Sequence, residues 1–300
     1  MKQKRILVIG SLNMDQVTRV DHTPRVGETV MGGGLHLNPG GKGANQAVAM
    51  GKLGADVTMI GMVGSDASGA ELKMNLSNMG VLDAVSVTDS APTGTAWIMV
   101  NANADNSIVV IEGANGELKP EHVHASWFDG IDIVVLQLEI PYETVKTALQ
   151  IAKSLGKLTV LNPAPAKVLD FDMLSNVDIL VVNETEFERV SGVHYSGSES
   201  LISGYEKLGI KQLVLTLGKD GAIYYDGVTA TQVPARVVKA VDTTAAGDSF
   251  IGGMLYEYSR GASMAEALTF ATEVAAYTVT KLGAQSALPS MSDLEERRKL

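Results

Sequence analysis

Residues 241–250 read VDTTAAGDSF, two aspartates bracketing small residues just ahead of an amphipathic helical pattern. If that helix starts near Ala246, the backbone N–H groups of Ala245, Ala246, Gly247 and Asp248 have no acceptor one turn earlier. Their small side chains leave the amides reachable and the helix dipole lies behind them, so together they form a pocket for an anion. Asp248 then sits in the first turn, within reach of whatever carries the anion. This arrangement suits phosphoryl transfer: amides hold the moving charge while a carboxylate orients the attacking hydroxyl and takes its proton late. The structural alternative is that Asp248 only favours a helix N-terminus, as acidic residues commonly do.

Other segments offer similar chemistry. NPGGKGANQAVA (38–49) sets Gly41, Lys42 and Asn45 at the entrance to a helix, where they can contact a polyhydroxylated ligand or serve only as hinge and cap. It is not a P-loop, because Gly43 stands where a serine or threonine must follow the lysine. A dinucleotide fingerprint is also missing, since ILVIG is followed by SLNMD. In GSLNMD (10–15), Asn13 and Asp15 lie two residues apart on one side of an extended segment. Each can grip a hydroxyl, or the segment can be an Asx turn. LQLE brings Glu139 to the end of another strand, and NETE (183–186) does the same for Asn183 and Glu186. That pair can order a Mg²⁺-bound water shell or a phosphate, and its spacing equally fits a helix cap with a capping-box glutamate. TLGKDG (216–221), with Thr216, Gly218, Lys219, Asp220 and Gly221, reads as a strand entering a tight turn. Each motif has a structural explanation by itself. Their shared position just after strands, on one edge of a sheet, is what points to a binding site.

The elements that must position these residues alternate. RILVIG is a short β-branched run suited to a first buried parallel strand. Helical spacing follows at 44–54, a strand at 57–64 and a helix at 67–80. The alternation resumes with strand 131–137, helix 142–155, strands 157–162 and 177–183, a short helix over 184–191 and strand 212–218. GAIYYDG and TATQV form a hairpin, and helices cover 247–260 and 263–280. The pattern predicts an α/β fold: a mostly parallel central sheet with helices on both faces, built from 1–12, 44–90 and 114–300. Residues 13–43 and 91–113 lack helical period and are strand-like, which predicts a small β-sheet lid. The closing MSDLEERRKL is a charged helix or a solvated tail.

Composition narrows the function further. The chain has 300 residues, 45% of them hydrophobic, enough for one large domain or two medium ones. A net charge of -10 argues against nucleic acid or an anionic membrane as partner, while a local nest of amides can still bind phosphate. No cysteine is present, which removes disulfides and thiolate chemistry and fits a reducing compartment. The basic then apolar N-terminus has too short an apolar run for a signal peptide, and no window supplies the roughly 18 apolar residues of a membrane span. A cytoplasmic protein is expected.

GSLNMD, GGKGANQAVA, NPAPA, NETE, TLGKDG and DTTAAGDSF also occur here in the order found in the ribokinase-like carbohydrate kinases, which the chain resembles from about residue 5 to 290. The resemblance implies an ATP-dependent kinase acting on the 5-hydroxyl of a sugar such as D-ribose. By it, Asp248 is the catalytic base and the amides from Ala245 to Asp248 form the anion hole. Asn13, Asp15, Gly41, Lys42, Asn45 and Glu139 hold the sugar. Asn183 and the segment from Thr216 to Gly221 line the ATP site, and Glu186 helps place Mg²⁺. A monovalent cation, usually K⁺, falls beside the anion hole at Asp242, Thr244, Thr278, Lys281, Gly283 and Ala287, mostly through carbonyls. Two positions depart from the pattern: Ala287 stands where a serine hydroxyl is often a ligand, and Thr272 where a histidine often lies near the adenine. Another sugar, a nucleoside, or a non-catalytic sensor role on the same fold remain as alternatives. Apolar strand faces such as TAWIMV need covering, so a homodimer joined lid to lid is expected.

Overall fold

The computed structural model describes residues 3–103 and 105–299. From the N-terminus, β1 (Ile6–Ile9) runs into β2 (Asn13–Arg19), and β3 (Leu35–Gly40) leads into helix α1 (Lys42–Leu53). Then come β4 (Val57–Ile60), β5 (Met62–Gly64), α2 (Ala67–Asn78), β6 (Leu82–Asp83), β7 (Ser86–Thr88), β8 (Gly94–Val100) and β9 (Asn106–Ile111). After short 3-10 turns the chain continues with β10 (Ile133–Leu136), α3 (Tyr142–Ser154), β11 (Leu158–Leu161), α4 (Phe171–Leu174) and β12 (Ile179–Asn183). Next are α5 (Glu184–Ser191), α6 (Ser198–Leu208), β13 (Gln212–Thr216), β14 (Ala222–Tyr225) and β15 (Ala230–Val233). Helices α7 (Ala246–Ser259), α8 (Met264–Thr278) and α9 (Met291–Arg298) complete it.

The main sheet has nine strands in the order β15-β14-β13-β12-β11-β10-β1-β4-β6. Strands from β6 to β13 in that row are parallel, and β14 and β15 close one edge as an antiparallel hairpin. Strand β1 is wholly buried, with Ile6 and Val8 in one apolar cluster and Leu7 and Ile9 in the other. That alternation is the two-residue period of a strand covered on both faces. Helices α1, α7 and α8 cover the first face, and α3, α5 and α6 the second. The architecture is the expected mostly parallel α/β sheet.

Several boundaries differ from the sequence reading. The run 57–64 is two strands: β4 pairs in the main sheet, while β5 pairs only with β7. The chain turns at Gly61, where an added Cβ would stand 2.4 Å from Leu12 Cδ1. Helix α1 starts at Lys42, two residues before the expected 44, so Lys42 lies in its first turn. Helix α6, over a Ser- and Gly-containing stretch, was not expected. Its buried side is sparse, Leu201, Gly204 and Leu208, and Gly204 leaves room for the Phe187 ring. The charged C-terminal stretch is helix α9, capped by Ser290 and Asp293.

Two features bring the candidate residues together. Helix α7 crosses α1 so closely that a Cβ on Gly252 would stand 2.4 Å from Ala49 Cβ. Small residues at this crossing let the first turns of α1 and α7 meet. The second sheet, in the order β3-β2-β8-β9, carries Asn13 and Asp15 on one face, in register with Gly40, Asn38 and Ala96. Its other face presents Leu35, Leu37, Trp97, Val109 and Ile111, all exposed. Asn115 pins the point where the chain leaves one sheet for the other. Its carboxamide accepts from Leu12 N (2.9 Å) and donates to Leu12 O (3.0 Å) and Asn13 Oδ1 (2.8 Å).

Candidate active site

The first turn of α7 follows Ala245, the single non-glycine residue with positive φ (58°) among the described residues. An L-residue rarely takes this conformation, and such strain concentrates at functional sites. Of the amides expected to be free, Ala246 N–H instead donates to Thr243 O at 3.2 Å. Among the described residues, no acceptor meets the N–H of Ala245, Gly247 or Asp248. Gly247 borders open space, with nothing within 4 Å of where a Cβ would stand. The expected anion pocket is thus left with three free amides rather than four, because a tight turn over 243–246, left-handed at Ala245, uses the Ala246 N–H.

Asp248 is buried, 6% exposed, and its two oxygens are held from α1. Asn45 Nδ2 donates to Oδ2 and Gln46 Nε2 to Oδ1, both at 3.0 Å. Two amide donors compensate a charge that would otherwise be costly to bury. Gln46 was not singled out in the sequence; the only signal for it is a buried polar residue on an otherwise small and apolar helix face. Asn162, just after β11, also faces this network: its Oδ1 accepts from Gln46 Nε2 (3.3 Å) and its Nδ2 donates to Glu186 Oε2 (3.4 Å).

A cavity of about 210 Å³ opens beside Asp248, bounded by Lys42, Asn162, Asn183, Glu186, Thr216 and the first turn of α7. Lys42, expected among the sugar donors, lies on this wall with Asp248. Burial by itself would lower the Lys42 pKa, but Asp248, Glu139, Glu186 and Asp15 surround it and raise it. Glu139 has a structural duty: Oε2 accepts from Ser11 Oγ (2.6 Å) and from Lys42 N (2.9 Å), capping α1. Asp15 lies near enough to Glu139 and Asp248 to feel both. Burial, then those two negative charges, push its carboxyl up to about 7, against the pull of Lys42.

Comparison with known proteins accounts for this convergence. The pfkB family carbohydrate kinase model matches residues 3–291. The chain belongs to the pfkB family of carbohydrate kinases. A ribokinase of Haemophilus influenzae is 38% identical over 98% of this chain and 98% of its own length. A deoxyribokinase of Salmonella typhi is 37% identical over 97% of each. The solved structure of Arabidopsis thaliana ribokinase complexed with ribose and ATP superposes with a TM-score of 0.92 at 30% identity, covering 100% of both chains. The kinase is thus a phosphotransferase with an alcohol acceptor, and ATP is the donor that its family supports.

In this kinase, Asn183 and Glu186 form the capping box that their spacing suggested, and also line the cavity. Asn183 Oδ1 accepts from Glu186 N (2.8 Å), and Glu186 Oε2 accepts from Asn183 N (3.0 Å). Burial pushes the Glu186 carboxyl up, and among the described residues no donor meets its Oε1. Glu186 and Asp248 are the carboxylates of this wall, and oxygens of this kind suit Mg²⁺, a hard cation. Gly218, Lys219 and Asp220 form an exposed 3-10 turn, and Gly221 is buried behind it.

The segments expected to hold the monovalent cation adjoin. Val241 N and Asp242 N donate to Val279 O, and Asp242 accepts from Thr244 N, Thr244 Oγ1 and Gly283 N. Burial alone would raise Asp242, yet the hydrogen bonds from Thr244 and Gly283 hold it below the usual carboxylate range. An ionised carboxylate beside loop carbonyls is a donor set that suits K⁺. Within that set, Thr278 O already accepts from Lys281 N, and Ala287 is buried in a 3-10 turn. The Thr278 hydroxyl also faces its own helix, donating to Val274 O. Thr272 lies in α8 outside the cavity wall, its hydroxyl donating to Thr269 O at 2.8 Å. A larger groove of about 730 Å³ beside α7 and α8 is lined by none of these residues, and its buried Glu273 is engaged by Arg236 and Arg298.

Proposed function

We propose that the kinase transfers the γ-phosphoryl of ATP to the 5-hydroxyl of D-ribose, giving D-ribose 5-phosphate. The observation that carries this reading is the Asp248 carboxylate, held by two amides beside three free N–H groups at the start of α7. In this reading Asp248 orients the hydroxyl in line with the phosphoryl group and receives its proton late in the transfer. The amides of Ala245, Gly247 and Asp248 then stabilise charge on the transferred group, with the Lys42 ammonium on the same wall. Asn13, Asp15, Gly41, Asn45 and Glu139 are the proposed sugar contacts. Asn183 and the Thr216 to Gly221 segment take the nucleotide, with Thr272 the weakest member because its hydroxyl faces its own helix.

Glu186 and Asn183 would help hold Mg²⁺, which when bound neutralises phosphate charge. Asp242, Thr244, Gly283 and the adjoining carbonyls would hold K⁺ next to the anion pocket.

The second sheet acts as the lid, excluding water from the transfer. Its exposed apolar face, with Leu37, Trp97 and Val109, supports a homodimer joined lid to lid. Sedimentation giving only monomer at micromolar concentration would contradict that dimer. The absence of a membrane-crossing helix among the described residues and the lack of cysteine support a cytoplasmic setting.

The deoxyribokinase relative favours 2-deoxyribose as the second reading. A coupled ADP-release assay over ribose, deoxyribose, fructose and nucleosides, with and without potassium, tests both. Ribose is expected to give the highest kcat/KM; preference for deoxyribose would select the second reading, and no ADP release with any acceptor would reject both.

A further inference from the structure

The clamp on Asp248 is the middle of a longer chain of side-chain amides. On one side Gln137, just after β10, donates from Nε2 to Gln46 Oε1 at 2.6 Å. On the other, Gln285 Nε2 donates to Asn45 Oδ1 at 3.1 Å, and Asn75 Nδ2 to Gln285 Oε1 at 2.6 Å. Gln46, Gln137, Gln285 and Asn45 are all buried.

The carboxylate sets the direction of this chain. An ionised carboxylate only accepts, so both amides touching it must present their NH₂ groups. Gln46 Oε1 then points away from Asp248 and needs a donor, which Gln137 supplies. That leaves Gln137 Oε1 last in line, buried and without a partner among the described residues. It lies against Gly10, where an added Cβ would stand 2.1 Å from it. A buried orphaned acceptor costs stability, and an apolar side chain at 137 would avoid that cost. The fold retains it where it aims a donor at Asp248.

We infer that Gln46 is a positioning residue for phosphoryl transfer, fixing with Asn45 the rotation of the Asp248 carboxylate, while Gln137 and Gln285 fix those two amides in turn. This rests on the reading of Asp248 as the base. A carboxylate turns easily about its Cβ–Cγ bond, a torsion with broad minima. One donor on each oxygen stops that rotation and keeps a lone pair facing the acceptor hydroxyl. Gln46 touches neither sugar nor nucleotide in this scheme, so its loss should lower turnover without weakening either ligand.

The test is Gln46→Met in the full chain, alone and combined with Asp248→Asn, with kcat and both KM values from ADP release and folding checked by circular dichroism. Misalignment of a reacting group costs about 10- to 100-fold in kcat, with both KM values changed less than about threefold. In the Asp248→Asn background the same substitution should change the residual turnover by less than about twofold, since nothing remains to be aligned. Near wild-type kcat in folded Gln46→Met, or the same fold-loss in both backgrounds, would overturn the inference. If Gln46→Met does not fold, Gln137→Met keeps Gln46 in place but frees its amide to turn. That variant should lose about tenfold in kcat at unchanged KM, and wild-type turnover in it would overturn the inference. Asp248→Asn separates the two failures. Inactive Asp248→Asn with active Gln46→Met rejects the clamp alone, whereas active Asp248→Asn rejects the base and the clamp with it.

Discussion

Asp15→Asn should make the ligand-free kinase more stable at neutral and alkaline pH. Asp15 is 8% exposed and lies near Glu139 and Asp248; burial and those charges raise its pKa from 3.8 to about 7 in the folded chain. A carboxyl whose folded pKa is raised binds its proton more tightly when folded. Its contribution to stability is therefore full below pH 3.8 and is lost as pH rises through about 7. The span between those values, at about 1.4 kcal/mol per pH unit, is about 4 kcal/mol. Asparagine keeps the shape without the titration, so the variant should match wild type near pH 4 and exceed it by up to about 4 kcal/mol at pH 8. Urea unfolding of both proteins from pH 4 to 8.5 measures this directly. The difference should climb through the acid range and level off above about pH 7. A constant difference across that range would refute the placement of Asp15 among those carboxylates. Sugar binding is expected to move the opposite way, with calorimetric affinity for ribose weakened in the variant, because one of the two accepting oxygens becomes an NH₂ donor.

Three further outcomes follow from other parts of the molecule. Asp248→Asn should lower kcat about 100- to 10,000-fold while equilibrium binding of sugar and ATP is largely kept; near wild-type turnover would remove its assigned role. Gly252→Ala should destabilise the fold by about 1–3 kcal/mol and slow turnover, since its methyl would meet Ala49 Cβ at 2.4 Å; adding Ala49→Gly should restore most of the loss in a thermal melt. Asp242→Ala should abolish stimulation by potassium chloride over lithium chloride with ribose KM little changed, and retained stimulation would place the monovalent cation elsewhere.

How much of the site was legible depended on how local each signal is. The start of α7 could be read because small residues, a helix period and an aspartate fall within ten positions. Asn183 and Glu186 were equally readable, three residues apart, and the structure gives them the capping box as well as a place on the cavity wall. Lys42 is readable as a donor at a helix entrance, but only the folded chain shows that its helix starts two residues early and that Lys42 lies on the cavity wall with Asp248 and Glu186. Gln46, Ser11 and Asn162 lie inside quoted motifs yet carry no assigned role there, as a lone polar residue in a helix or after a strand has no periodic signature. Helix α6 escaped for a similar reason: its contact surface includes Gly204, whose fit against Phe187 is invisible before the two helices meet.

By itself the sequence determined the alternation of strands and helices, the two β-rich excursions and the edge at which polar motifs gather. Those depend on period, turn residues and short spacings, which a chain carries with it. Tertiary structure alone decided that Asn45 and Gln46 hold Asp248, that Glu139 caps α1, and that the Ala246 amide is already bonded. These partners lie up to about two hundred residues apart, as between Asn45 and Asp248. The close crossing of α1 and α7 at Ala49 and Gly252 brings Asn45 and Gln46 within hydrogen-bonding distance of Asp248, because donors and acceptors select one another by geometry rather than by order along the chain.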